Sequence, residues 1–441
     1  MKVSILKLFK KNFSNKVLRN FAYVSLVTLL ISSIGFLKET MVAANFGLSL
    51  ELDSFFIALL IPGIINTVFL GSFNSVFIPN YIIELKSNNS IKSFQTYSLL
   101  ITLSLAIVFS IITFLTIDFY LNILFPNKSN AFYSSVQNQT LILLPCIPLW
   151  GTSSILNGIL NAHEEYRWSS FNSIFTPVSI IIGVSYFSNS TDFVLAYSTL
   201  VGAAFSATYL LIISKYKKSL NLGRPDSISP NLILTIKQIP VKISSSILTS
   251  LNNVVDQFFA AQLIVGSVAA LNYGMKIPAF ATSLLVMAIN SVLLPYFSKQ
   301  VLKDKIVAYE KLLVNLKWTF LIVMILSTIA IILSPFIIEV LFERNKFSKE
   351  DSIVVSYIQQ IFLAFLPFKI CGMLMVNFAT SINKNSFLAF VSLIALILNV
   401  ALDYIFIKYF GIYGIAICTT IVIIIKSLLI YLYIKKLHKN I

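Results

Sequence analysis

The chain has 441 residues, 57% of them hydrophobic and only 11% charged, with a formal charge of +16. A soluble domain carries about 25% charged residues, so this composition excludes a water-soluble globular protein and points to one dissolved in lipid. Cys146, Cys371 and Cys418 all fall in apolar stretches without motif spacing, so they read as packing residues and indicate neither a disulfide nor a metal centre.

A membrane span needs about 20 apolar residues. Taken in chain order, such stretches lie near 20–46, 53–83, 97–124, 138–160, 170–187, 192–214, 232–263, 267–297, 314–341, 353–380, 386–407 and 411–434. The expectation is an all-α polytopic membrane protein of about twelve helices. The first stretch follows a basic segment, as a signal peptide would, but it is too long for one and is expected to be an uncleaved helix. It is also longer than a bilayer requires and carries Lys38 and Glu39 inside it, which fits a helix that bends at a cavity.

After six spans comes the longest polar connection, residues 215–230, rich in Lys, Gly, Pro and Ser; six more spans follow. The predicted organisation is therefore an N-terminal lobe at 1–214, a cytoplasmic linker at 215–230 and a C-terminal lobe at 231–441. An internal repeat supports it. At an offset of 216 residues Ile61-Pro62 recurs as Ile277-Pro278, Asn74-Ser75-Val76 as Asn290-Ser291-Val292, and Pro79 as Pro295. One residue further, Glu39 falls on Asp256 and Ala43-Ala44 on Ala260-Ala261. An even number of spans per half makes the two lobes parallel repeats, a plan common in secondary transporters.

The positive charge follows the topology. With loops assigned alternately and the N-terminus inside, 23 of the 33 basic residues fall on the cytoplasmic side and 5 on the other. The positive-inside rule accounts for that bias without a nucleic-acid partner, and it places both termini in the cytoplasm.

Charges inside spans cost about 2.5–3.5 kcal/mol each on insertion scales, so those retained are the candidate functional groups. Lys317, Asp403 and Lys426 lie near span ends and are expected to snorkel. Asp53 opens its span, where it either caps a helix or joins a cavity. Lys38-Glu39 reads as a mutual ion pair or as cavity lining, and so does Asp256 beside Asn252, Asn253 and Gln257. Lys276 sits two residues before Pro278; it is a point charge suited to phosphate or a partner for an acid such as Asp256. Pro62 and Pro278, equivalent in the repeat, are candidate hinges. No cofactor motif, GxxxxGK[ST], HExxH or loop carboxylate pair is present in the sequence, and no catalytic role is expected.

The run Gly35-Phe36-Leu37-Lys38-Glu39-Thr40, then Asn45-Phe46-Gly47 and Leu52-Asp53-Ser54-Phe55-Phe56, resembles the opening of the MurJ/MviN flippases. Leu160-Asn161-Ala162, Gly266-Ser267-Val268 with Leu271-Asn272-Tyr273, Leu293-Leu294-Pro295, and Leu341 to Ser348 with Asp351 continue the pattern in order. The resemblance implies the fold of the MOP exporters, shared with MATE-type transporters: two six-helix lobes rocking around a cavity. It further implies a flippase of the bacterial inner membrane that moves an undecaprenyl-pyrophosphate-linked saccharide, with a coupling cation or the membrane potential driving the cycle. Lys38 and Lys276 would then attract the pyrophosphate, Glu39, Asp53 and Asp256 would be coupling or cavity acids, and the partners would be the lipid-linked oligosaccharide and membrane lipids.

Departures from the family pattern bear on the substrate. Ser32-Ser33 and Asn66-Thr67 stand where the family has arginines, Lys276 replaces another arginine, and Lys38-Glu39 stands for Arg-Asp. The chain also shows twelve spans without the family's two further helices. Lipid II and a capsule, O-unit or exopolysaccharide precursor are therefore both expected substrates. The rival readings are a MATE-like drug or cation antiporter and a membrane polysaccharide polymerase or ligase.

Overall fold

A computed structural model describes residues 16–87, 91–126, 128–224, 228–303, 305–382 and 384–439. The N-terminal basic stretch up to residue 15 and linker residues 225–227 lie outside them. Secondary structure among the described residues is almost wholly helical, apart from one isolated bridge between Arg344 and Phe347.

In chain order the helices are α1 (Lys16–Phe46), α2 (Leu50–Ile64), a π-helical turn (Ile65–Leu70), α3 (Gly71–Ser87), α4 (Ile91–Leu124), α5 (Asn130–Leu143) and α6 (Cys146–Ala162). Then come α7 (Tyr166–Phe171), a 3-10 turn (Asn172–Ile174), α8 (Phe175–Phe187), α9 (Val194–Tyr216), α10 (Pro230–Ala261), α11 (Ser267–Lys303) and α12 (Lys305–Phe342). The last four are α13 (Lys349–Leu363), α14 (Leu366–Ser381), α15 (Asn385–Phe410) and α16 (Ile412–Lys439).

Nine stretches among the described residues are long and apolar enough to cross a membrane, and α13 with α14, bent by 40°, adds a tenth. The two other expected spans, α10 and α11, are helices of 32 and 37 residues. Both have the length to cross. The apolar character of α10 is diluted by Lys237, Lys242, Asn252, Asn253 and Asp256.

The chain forms two compact units whose boundaries fall inside helices. The first comprises Met1–Asn45 with Ala58–Ser246, and the second Phe46–Ile57 with Ile247–Ile441. The boundary between these two units falls within α10, beyond the expected linker at 215–230. The first half of α10 belongs to the first unit because it is bonded to α3: Ser72 to Ser246 at 2.8 Å, Asn80 to Gln238 at 3.0 Å and Asn231 to Glu84 at 2.6 Å. Pro240, which cannot donate a backbone hydrogen bond, lies six residues before the boundary.

In the first unit, the rings of Phe77, Tyr81 and Phe94 pack at centroid distances of 5.2–5.7 Å in a core completed by Ile155, Ile159 and Leu232. Helices α8 and α9 approach so closely that a Cβ on Gly202 would lie 2.6 Å from the Thr176 Cα; small residues permit such contact where lipid supplies no hydrophobic drive. The linker's start is fastened to this unit. Gln95 donates to the Ser219 carbonyl at 2.8 Å and accepts from the Asn221 N–H at 2.6 Å, and Lys217 pairs with Glu165 at 3.1 Å.

Gln95 also donates to the Tyr81 hydroxyl, which meets His163 Nε2 at 3.2 Å. Desolvation holds the His163 imidazole below its ordinary 6.5, against the upward pull of Glu165. The folded value being the lower one, this contact's stabilisation is present above about 6.5 and is lost as the pH falls toward the folded value. Hydrogen exchange of residues 217–223, corrected for intrinsic rates, should therefore rise on acidification, and His163→Phe should remove the response. Wild-type protection that does not change with pH would show that the imidazole does not hold the linker.

The internal repeat is visible in the two broken traversals. α5 and α6 are separated at Pro145, and α13 and α14 just before Pro367. Each pair starts with a serine cap: Ser129 accepts from the Phe132 N–H, and Ser348 from the Asp351 N–H in a full capping box.

Candidate functional site

The second unit contains a buried acidic cluster. Asp256 on α10 is 6% exposed, and its two carboxyl oxygens accept from Asn399 Nδ2 at 3.0 Å and from the Thr419 hydroxyl at 2.9 Å. Asp403, fully buried on α15 one turn after Asn399, stands close enough to Asp256 for the two charges to act on each other. Neither Asp403 oxygen, nor Asn399 Oδ1, has a hydrogen-bond donor among the described residues. Two carboxylates held together away from water repel unless a proton or cation neutralises them. With neutral oxygens from Asn399 and Thr419 beside them, they form an oxygen-rich set of the kind that hard cations prefer.

Asp256 was a candidate from its position in the repeat; its partners were not. Asp403 does not snorkel as expected: it is fully buried on α15, beside Asp256 of α10 and Cys418 of α16. The signal for it was present, since Asn399 and Asp403 are spaced i,i+4 and share one helix face.

The remaining candidates occupy separate places. Lys38 and Glu39, in the first unit, form an ion pair of 2.6 Å with side chains 23% and 12% exposed. Lys276, in the second unit, lies over the Phe56 ring at 6.0 Å. Asp53 is a helix cap: its carboxylate accepts from the Gly266 N–H at 2.7 Å and the Ala269 N–H at 2.8 Å, where α11 begins. Gly266 adopts φ +91°, and a Cβ there would lie 2.7 Å from the Leu48 carbonyl oxygen. Gly47, at φ +57°, presses equally closely on the Lys346 backbone. These contacts draw residues 46–57 into the second unit.

Pro62 is buried inside α2 and is followed within three residues by the π-helical turn 65–70, in which Asn66 and Thr67 lie. A proline that frees a carbonyl ahead of an underwound π turn makes this the least regular point of the span. Pro278 is buried in a continuous α11, where its carbonyl accepts from the Thr282 hydroxyl at 2.7 Å. Among the described residues no group of three or more His, Cys, Asp or Glu is placed to bind a metal.

Many apolar helices in two units, with charged groups kept inside them, define a multi-span membrane transporter. Solved structures share its architecture. A lipid II flippase MurJ in an inward closed conformation superposes with a TM-score of 0.80 at 22% identity, covering 93% of this chain and 87% of that one. An inward-facing MATE family multidrug transporter of the MOP superfamily gives 0.76 at 16% identity, covering 92% and 94%. The family described as lipid II flippase MurJ matches residues 42–441. The chain belongs to that family, one of flippases and not of enzymes. Among relatives, the probable lipid II flippase MurJ of Buchnera aphidicola subsp. Baizongia pistaciae is 26% identical over 430 residues, 94% of this chain and 83% of the relative. That of Aquifex aeolicus is 28% identical over 426 residues, covering 93% and 82%.

Proposed function

We propose that this protein flips lipid II, or a closely related polyprenyl-pyrophosphate-linked saccharide, across the bacterial inner membrane by alternating access. The family match across residues 42–441 carries this reading. Both termini lie in the cytoplasm on this reading, which the charge bias between loops supports. Lys276 offers a cation to the pyrophosphate, and Lys38, neutralised by Glu39 at rest, offers a second when that pair opens. The π turn after Pro62 and the Thr282-braced Pro278 are the points where the equivalent helices flex.

The Asp256–Asp403 cluster takes the coupling cation. Filling and emptying it changes the charge inside the second unit, and one elementary charge moved across 100 mV is worth about 2.3 kcal/mol. That is enough to bias one conformation over another.

The test is complementation in a bacterium depleted of its own lipid II flippase. Wild type should restore growth, whereas Lys276→Ala, at equal membrane abundance, should not. Well-expressed wild type that fails to rescue would move the assignment from lipid II to a dedicated polysaccharide precursor. Rescue by Lys276→Ala would remove that lysine from the transport path.

A further inference from the structure

The first unit holds a groove of about 470 Å³ between α3, the end of α6 and the start of the fifth span. Its lining differs from the rest of this apolar protein. Asn157, Asn161, Tyr166, Ser170 and Ser173 line it together with Ile78 and Ile82, and none of the described lining residues is charged. Polar side chains grouped at the end of a membrane bundle call for either water or a polar ligand.

The amides are oriented. Ser169 donates its hydroxyl to Asn161 Oδ1 at 2.5 Å, and Asn161 Nδ2 donates to Asn157 Oδ1 at 3.2 Å. With its oxygen occupied, Asn157 leaves its –NH2 as the group presented to the groove, a donor fixed by a relay behind it. The Ser170 and Ser173 hydroxyls donate or accept as required, and Tyr166, 39% exposed, offers a ring edge and hydroxyl. A pyrophosphate would find no cation among these residues. A neutral ligand dense in hydroxyl and amide oxygens would find a donor, two adaptable hydroxyls and an aromatic ring.

We propose that this groove is the subsite for the saccharide of the lipid-linked substrate, with Asn157 donating to a sugar hydroxyl or acetamido oxygen. The assignment rests on the flippase reading above and adds that the sugar, not only the pyrophosphate, is recognised.

The experiment measures binding of lipid II and of undecaprenyl pyrophosphate, which lacks the saccharide, to the full-length protein in lipid nanodiscs. Wild type should prefer lipid II. Asn157→Ala, which removes the donor, and Ser173→Phe, which fills the groove from an exposed position, should each cut that preference roughly tenfold. Binding of undecaprenyl pyrophosphate and the melting temperature should stay at wild-type values in Ser173→Phe. Wild type that binds both lipids alike, or variants that keep the full preference, would overturn the subsite alone. Wild type that binds neither lipid would overturn the flippase reading and the subsite with it.

Discussion

Asp53→Ala is expected to destabilise the second unit by about 3–5 kcal/mol. The substitution leaves the Gly266 and Ala269 N–H groups buried without an acceptor, at about 1–3 kcal/mol each, and removes a negative charge from the start of α11. Asp53→Asn should lose about half as much, because its single amide oxygen satisfies one donor while its –NH2 faces the other. Thermal unfolding in detergent, followed by tryptophan fluorescence, would rank wild type above Asn above Ala. Transport loss in these variants should track the loss of folded protein. An Asp53→Ala protein that melts like wild type but no longer transports would instead make Asp53 a coupling acid, the role its sequence position also allowed.

Asp403→Asn should behave in the opposite way: transport is lost while stability is kept or raised. Replacing a buried carboxylate that lacks a donor and faces a like charge relieves repulsion, so the fold should hold or gain stability. Asp256→Asn keeps one carbonyl acceptor for Asn399 or Thr419 and should fold as well. The discriminating measurement is cation-dependent melting. Sodium at about 100 times its dissociation constant should stabilise wild type by about 2.7 kcal/mol relative to choline, and neither variant should respond. A wild-type protein indifferent to sodium, lithium and potassium would leave protons as the coupling ion. Variants that transport normally would end the coupling role of this cluster.

The amino-acid sequence determined the class of this protein. Apolar stretches of span length, interrupted by basic loops, admit only helices in a bilayer, since lipid cannot hydrogen-bond an open backbone. The repeat of Ile61-Pro62 as Ile277-Pro278, and the ordered motifs from Gly35 to Asp351, carried the two-part organisation and the family. Asp256 and Lys276 were legible because a charge within a span is costly wherever that span packs.

What tertiary structure alone decided is which charges act together. Asp403 looked like a span-end residue until α15 was seen to bury it beside Asp256, 147 positions away in the chain. For Asp53 the sequence left a cap and a cavity acid both open; the backbone N–H groups it accepts from, Gly266 and Ala269, lie more than 200 residues away and became visible only in the fold. The family motifs around Gly47, Asp53, Gly266 and Asp351 prove to be turns, caps and close contacts that hold the second unit together. The helix α10, continuous in sequence and in backbone, is divided between two units by the partners of its side chains. Hydrophobic periodicity reports how each helix meets lipid; it carries no record of which distant helix supplies the partner for a buried polar group, because that depends on packing angles that only the assembled bundle fixes.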